Sequence, residues 1–202
     1  MTRVGVLALQ GDVREHRQLL EGVGASVIEV RRPSDLDGID AIVIPGGEST
    51  TIGRLATIFG LLDPLEKAIE GGLPAYGSCA GMILLAKGTT GDPQPQLGAM
   101  DVVVERNAFG RQNESFEVDL DITGLDAPFH AVFIRAPWVA SIGDGVEVLA
   151  EVDGHPVMIR QGNVIATSFH PELTGDDRIH RLVLDLARAE RADPDATSPP
   201  PD

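Results

Sequence analysis

Cysteine is nearly absent from this chain: Cys79 is the one cysteine in 202 residues. A single thiol excludes an internal disulfide and any Cys-x-x-Cys zinc pattern, and a reducing cytoplasm is the simplest compartment for it. Aromatic residues make up 4% of the chain, with one Trp and one Tyr, which disfavours a base-stacking surface. Basic residues are also few. There are 16 Lys and Arg against 31 Asp and Glu, for a net charge of −15, and that balance argues against nucleic acid or an anionic membrane as partner. No apolar run approaches the roughly 20 residues needed to span a bilayer. The apolar start is too short for a secretory signal and is interrupted by Gly11 and Asp12.

What is present is an alternation of elements. Residues 3–9 form a continuous apolar run, as expected of a buried parallel strand. A helix is predicted over 12–20, then strands over 26–30 and 41–44, and helices over 51–56 and 61–69. A fourth strand ends at the cysteine, and a helix is predicted over 80–87. This pattern predicts an α/β fold with a parallel sheet, whose site lies at the C-terminal ends of the strands. Gln10, the loop at Gly46 and Gly47, and Cys79 all fall at such ends. From about residue 97 the pattern becomes strand-rich, with strands predicted near 96–105, 115–120, 129–135, 146–151, 155–159 and 164–169. These are expected to add antiparallel strands to the sheet. A last helix is predicted over 176–189. Residues 1–191 are expected to form one domain, and 192–202, rich in Pro, Asp and Ser, a disordered tail.

The chemistry centres on Gly77-Ser78-Cys79-Ala80-Gly81. Gly-x-Cys-x-Gly between a strand and a helix has the spacing of a nucleophile elbow, with cysteine in place of serine. The sharp turn strains its middle residue and requires small neighbours, and a helix N-terminus favours thiolate, the reactive form. A lone cysteine is also commonly a small buried hydrophobe, so the motif alone leaves both readings open.

Gly46-Gly47-Glu48-Ser49 suggests a phosphate loop, but such a loop needs a Lys before its Ser or Thr, and a carboxylate there repels phosphate. Gly22-Val23-Gly24 follows a helix and lacks the third glycine of a dinucleotide fingerprint. The better reading of Gly46-Gly47 is a peptide N–H presented to an oxyanion; an ordinary tight turn remains the alternative. Among five histidines, His16 and His180 fall in predicted helices and are expected to be solvated, while His130 and His155 look structural. His170 ends a strand and opens His170-Pro171-Glu172. Pro171 keeps it out of the helical region, and in an extended segment Glu172 points the same way. Nucleophile, base and orienting acid are then all available. A metal reading is poor for want of a third ligand.

With these residues in place, the chain resembles the class I glutamine amidotransferases. Several blocks resemble more closely the glutaminase subunits of pyridoxal 5'-phosphate synthase: residues 5–11, 44–51, 105–110 and 133–137, with the likeness spanning roughly 4–186. The resemblance implies a flavodoxin-like three-layer fold and hydrolysis of L-glutamine through a Cys79 thioester. His170 is then the acid and base and Glu172 orients it, with oxyanion donors on Gly47 and Ala80. Gly46, Gly47, Glu48, Ser49, Arg106, Ile134, Arg135 and Gln10 are implied around the substrate. It also implies a (β/α)8-barrel synthase partner that consumes the ammonia, in a hetero-oligomeric complex, and neither metal nor cofactor. The alternatives are a cysteine peptidase or γ-glutamyl hydrolase of similar fold, or a non-catalytic α/β binding module. Ala80 counts against those hydrolases that place His directly after the nucleophile.

Overall fold

A computed structural model describes residues 1–109 and 115–192; the predicted tail lies almost wholly outside them. The strands that build the main sheet are β1 (Arg3–Leu7), β2 (Ser26–Val30), β3 (Ala41–Ile44) and β4 (Ala75–Ser78), followed late in the chain by β10 (Glu147–Val152), β11 (His155–Gln161) and β12 (Val164–Thr167). Their order across the sheet is β10-β11-β12-β4-β3-β1-β2, parallel from β12 to β2 and antiparallel at the β10-β11-β12 end. The parallel part has the doubly wound order 2-1-3-4-5, with β12 in the fifth place, and such sheets bind ligands beyond the C-terminal strand ends.

Because successive residues of a strand face opposite ways, each buried strand feeds two cores. Ile42 and Ile44 pack under α2 (Ser49–Ile58), α3 (Leu62–Glu70) and α4 (Ala80–Leu85) with Ile52, Leu65 and Leu84. Ala41 and Val43 face the opposite layer, where α1 (Val13–Gly22) and α5 (Arg178–Ala192) bury Leu20, Ile179 and Val183. Strands covered on both faces explain the unbroken apolar runs. The result is the expected three-layer α/β fold.

Several expectations are corrected. The helix after Cys79 stops at Leu85, and the chain continues as β5 (Ala86–Thr89), so 80–87 is not wholly helical. The helix after β3 begins two residues earlier than predicted, because Glu48 caps it. The last helix runs to Ala192 rather than 189. The later strands do not all join the main sheet. β5, β6 (Met100–Glu105) and β9 (Trp138–Ile142) form a three-stranded sheet, and β7 (Ser115–Leu120) and β8 (Phe129–Ile134) form a hairpin. Phe109, Phe116, Phe133 and Trp138 meet edge to face or stacked and cement these pieces together. Trp138 also stacks on His155, which opens β11 as predicted, with centroids 3.5 Å apart. No helix among the described residues is long and apolar enough to cross a membrane.

Candidate active site

β4 and β12 are neighbours in register, with Ser78 opposite Thr167. Cys79 follows Ser78 and donates its N–H to the Thr167 carbonyl at 2.7 Å. His170 lies three residues past Thr167, and its N–H is held by the Val132 carbonyl of β8 at 2.9 Å. The pairing of two parallel strands therefore delivers nucleophile and base to one place from residues 91 apart in sequence.

The elbow has the predicted strain. Cys79 has φ 49° and ψ −100°, a costly conformation for a residue with a Cβ. The small neighbours have identifiable reasons: a Cβ on Gly77 would run into the Gly81 carbonyl group, and one on Gly81 into the Ile44 carbonyl oxygen. Four non-glycine residues among those described have positive φ: Cys79, Asn107, Arg135 and Asp153. The first three line the same cavity.

That cavity, of about 160 Å³, is bounded by Gly47, Glu48, Ser49, Cys79, Ala80, Ile83, Arg106, Asn107, Ile134 and Arg135. Sequence reasoning missed Ile83, which lies one turn beyond the cysteine on α4, and Asn107, whose backbone strain leaves no mark in the sequence. Glu48 caps α2, accepting from the N–H groups of Thr50 and Thr51 and from the Thr51 hydroxyl. Burial opposes its ionisation, but these hydrogen bonds outweigh it and hold the carboxylate at about 2. The carboxylate thus occupies the amides a phosphate would need, and the phosphate reading fails. Arg106 approaches Glu48 at 3.4 Å. Arg135 makes no ion pair among the described residues. The Ser49 hydroxyl lines the wall but donates to Gln94.

Gln10 and Gly46 stand behind this wall. Gln10 Oε1 accepts from the Glu48 N–H at 2.8 Å, and a Cβ on Gly47 would crowd the same oxygen. The Gly46 carbonyl accepts from the Asp12 N–H at 3.1 Å. The peptide is trans, so the Gly47 N–H points away from Asp12.

His170 Nδ1 donates to Glu172 Oε1 at 2.7 Å, and Cys79 is a further hydrogen-bond partner of the ring. Glu172 reaches this position from a 3₁₀ turn, Pro171–Leu173, rather than from the extended segment expected, since Pro171 initiates the turn. Burial disfavours the imidazolium, yet Asp12, Cys79 and Glu172 together outweigh it and raise the His170 pKa to about 12. Burial pushes Glu172 up, opposed by His170.

His16 and His180 are not solvated: both are fully buried. His16 lies on the inward face of α1, where it bonds Ser78 Oγ at 3.0 Å and His180 at 2.9 Å. Asp12 supplies the third ligand atom that the sequence did not reveal, within 4.8 Å of those of His170 and Glu172. The 2.7 Å Nδ1–Oε1 separation is nevertheless a hydrogen bond, short of the roughly 3.3 Å that two ligands of one tetrahedral zinc require.

Residues 6–187 match the model of the SNO glutamine amidotransferase family. The chain belongs to that family. Among its relatives, a pyridoxal 5'-phosphate synthase subunit PdxT of Parafrankia sp. (strain EAN1pec) is 63% identical over 191 residues, covering 93% of this chain and 94% of that protein. The protein of the same name from Mycobacteroides abscessus is 60% identical, covering 92% and 97%. A crystal structure of a glutamine amidotransferase superposes with a TM-score of 0.88 at 56% identity, over 92% of this chain and 98% of that one. As a family member, the chain carries its strained cysteine, buried histidine and cavity on the amidotransferase fold.

Proposed function

We propose that this family member hydrolyses L-glutamine to glutamate and ammonia, and that it passes the ammonia to a synthase subunit making pyridoxal 5'-phosphate. The observation that carries the reading is Cys79, strained and electrostatically coupled to His170, opening on a small cavity walled by Arg106, Arg135 and Glu48. About 160 Å³ suits a free amino acid better than a peptide, being well below the roughly 300 Å³ at which drug-sized pockets begin. This disfavours a peptidase.

In this mechanism the Cys79 sulfur attacks the side-chain amide carbon of glutamine. The carbonyl electrons move onto oxygen, where the N–H groups of Gly47 and Ala80 receive them; one such donor contributes roughly 10²–10³ in rate. Collapse breaks the carbon–nitrogen bond, and the His170 imidazolium gives its proton to the departing nitrogen. The neutral ring then takes a proton from water, which attacks the thioester and releases glutamate and the free thiol. General acid–base help of this kind contributes roughly 10²–10⁴. Glu172 holds the ring and balances its charge. Arg106 and Arg135 receive the α-carboxylate, the ionised Glu48 receives the α-amino group, and the Ile134 backbone adds a polar contact. Gln10 braces the oxyanion loop.

The partner in this reading is a (β/α)8-barrel subunit in a hetero-oligomeric complex; the names the relatives carry support the synthase partner. Residues 1–191 suffice as the catalytic domain, and a chain ending at Ala192 is expected to keep full activity; a drop in melting temperature or turnover on truncation would refute that. The decisive experiment is ammonia release from glutamine by Cys79→Ala beside the native chain, both assayed with the synthase. The variant is expected to be folded and inactive, and substantial activity in it would overturn the assignment.

A further inference from the structure

Asp12 stands directly before α1, where an aspartate ordinarily accepts from the first helical amides. It makes no such side-chain bond. Its carboxylate turns instead to the triad, placing Oδ2 3.4 Å from His170 Nδ1, the nitrogen already bonded to Glu172. Its backbone N–H meanwhile holds the Gly46 carbonyl. A Cβ added to Gly46 would overlap the His170 ring and crowd Asp12 Oδ2, so loop, ring and carboxylate form one packed contact. Gly46 must be bare for the base to lie against the loop.

We propose that Asp12 is a positioning residue for the glutaminase reaction: its carboxylate is a second negative charge against His170 Nδ1, and its N–H ties the oxyanion loop to the same base. This deepens the glutaminase reading and rests on it. One carboxylate can set the direction of an imidazole ring. Two, approaching the same nitrogen from the 3₁₀ turn and from the start of α1, fix the ring between separate elements and favour its cationic form. The cation is needed when ammonia departs. The titratable groups facing His170 are Asp12 and His16 from the α1 side, Cys79 from the elbow and Glu172 from the turn. His130 on β8 faces away, toward Glu117 and Asp119. Asp12 is the most exposed of the groups at the ring, with its side chain 35% accessible, so it can be changed with the least risk to the core.

The test uses the full chain and Asp12→Asn, which keeps the backbone N–H and the side-chain shape but removes the charge. The rate of Cys79 alkylation by iodoacetate is followed against pH. In the native chain the alkaline limb reports loss of the imidazolium, the cation that draws in the anionic reagent. With the carboxylate gone, that limb is expected to move to lower pH by about half a unit to one unit, given the exposure of the group, while the melting temperature holds. In glutamine hydrolysis with the synthase, kcat is expected to fall about threefold to tenfold with KM unchanged. Asp12→Asn placed on Glu172→Gln should cost more than on the native chain, since no carboxylate then remains on Nδ1. An unchanged alkaline limb, or strictly additive losses in the double variant, would overturn the proposal. Alkylation needs no substrate, so the profile tests Asp12 even if the chain released no ammonia from glutamine, an outcome that would instead defeat the glutaminase reading.

Discussion

His16 Nε2 lies 3.4 Å from Glu172 Oε2, and neither side chain is exposed. The outer oxygen of Glu172 therefore faces a neutral imidazole rather than water. Burial and the nearby His180 and His170 keep His16 well below its usual pKa. His180 Nδ1 is buried with no hydrogen-bond partner among the described residues, which selects the tautomers. His180 must carry its proton on Nε2 and donate to His16 Nδ1, leaving Nδ1 a bare acceptor, since a bare buried N–H is the costlier omission. His16 then carries its proton on Nε2 and donates it to Ser78 Oγ, while Glu172 Oε2 has no hydrogen-bond partner among the described residues.

A pH dependence of stability follows. Burial lowers the His180 pKa to about 4 and lowers that of His16 well below 6.5. Below pH 6.5 the unfolded chain takes up protons that the folded chain refuses, so stability falls as pH drops from 6.5 toward 4. His180 alone contributes up to about 3 kcal/mol of that loss. Urea unfolding midpoints across this window should flatten in His180→Leu. An undiminished slope in the variant would show that the ring is not buried neutral.

Gly77→Ala is expected to cost at least about 2 kcal/mol, because its Cβ meets backbone that cannot move aside. Gly91→Ala, with open space around it, is the control and should be close to neutral. Thermal melts of the pair decide this, and equal melting temperatures would mean that the elbow is looser than its glycines imply.

Glu172→Gln should lower turnover less than Cys79→Ala does. The amide still contacts His170 but carries no charge to balance the imidazolium, and Asp12 remains beside the ring. Two equally inactive, well-folded variants would assign Glu172 more than orientation.

Glutamine hydrolysis should rise when the synthase subunit is titrated in and level off at a fixed stoichiometry. Turning the Gly46–Gly47 peptide would break the bond from the Asp12 N–H, so a partner that contacts the loop can bias its orientation. Full activity without the partner, unchanged on its addition, would show a hole formed in advance.

The parallel sheet and the elbow were legible because periodicity and local sterics write them into adjacent residues. Gly77, Cys79 and Gly81 state their reason within five positions. His170 and Glu172 were also legible, though the 3₁₀ turn joining them was not, since Pro171 permits an extended path as readily. The buried His16–His180 pair was hidden because the two residues are 164 apart, and polar residues on amphipathic helices ordinarily face water. Asp12 was hidden for a related reason: its position before a helix suggests a cap, and only the approach of the Gly46 loop redirects it. The separate small sheets escaped notice because strand pairing depends on partners that alternation does not name.

The stack of Trp138 on His155 has a practical corollary. With no other tryptophan in the chain, all indole emission arises from one spot, where the ring lies flat on an imidazole and its edge meets Phe109. Phe109 is two residues from Asn107 on the cavity wall. The molecule thus carries a built-in optical probe behind its binding chamber. Its signal should register movement of the 105–109 segment when an amino acid enters, without any label being attached.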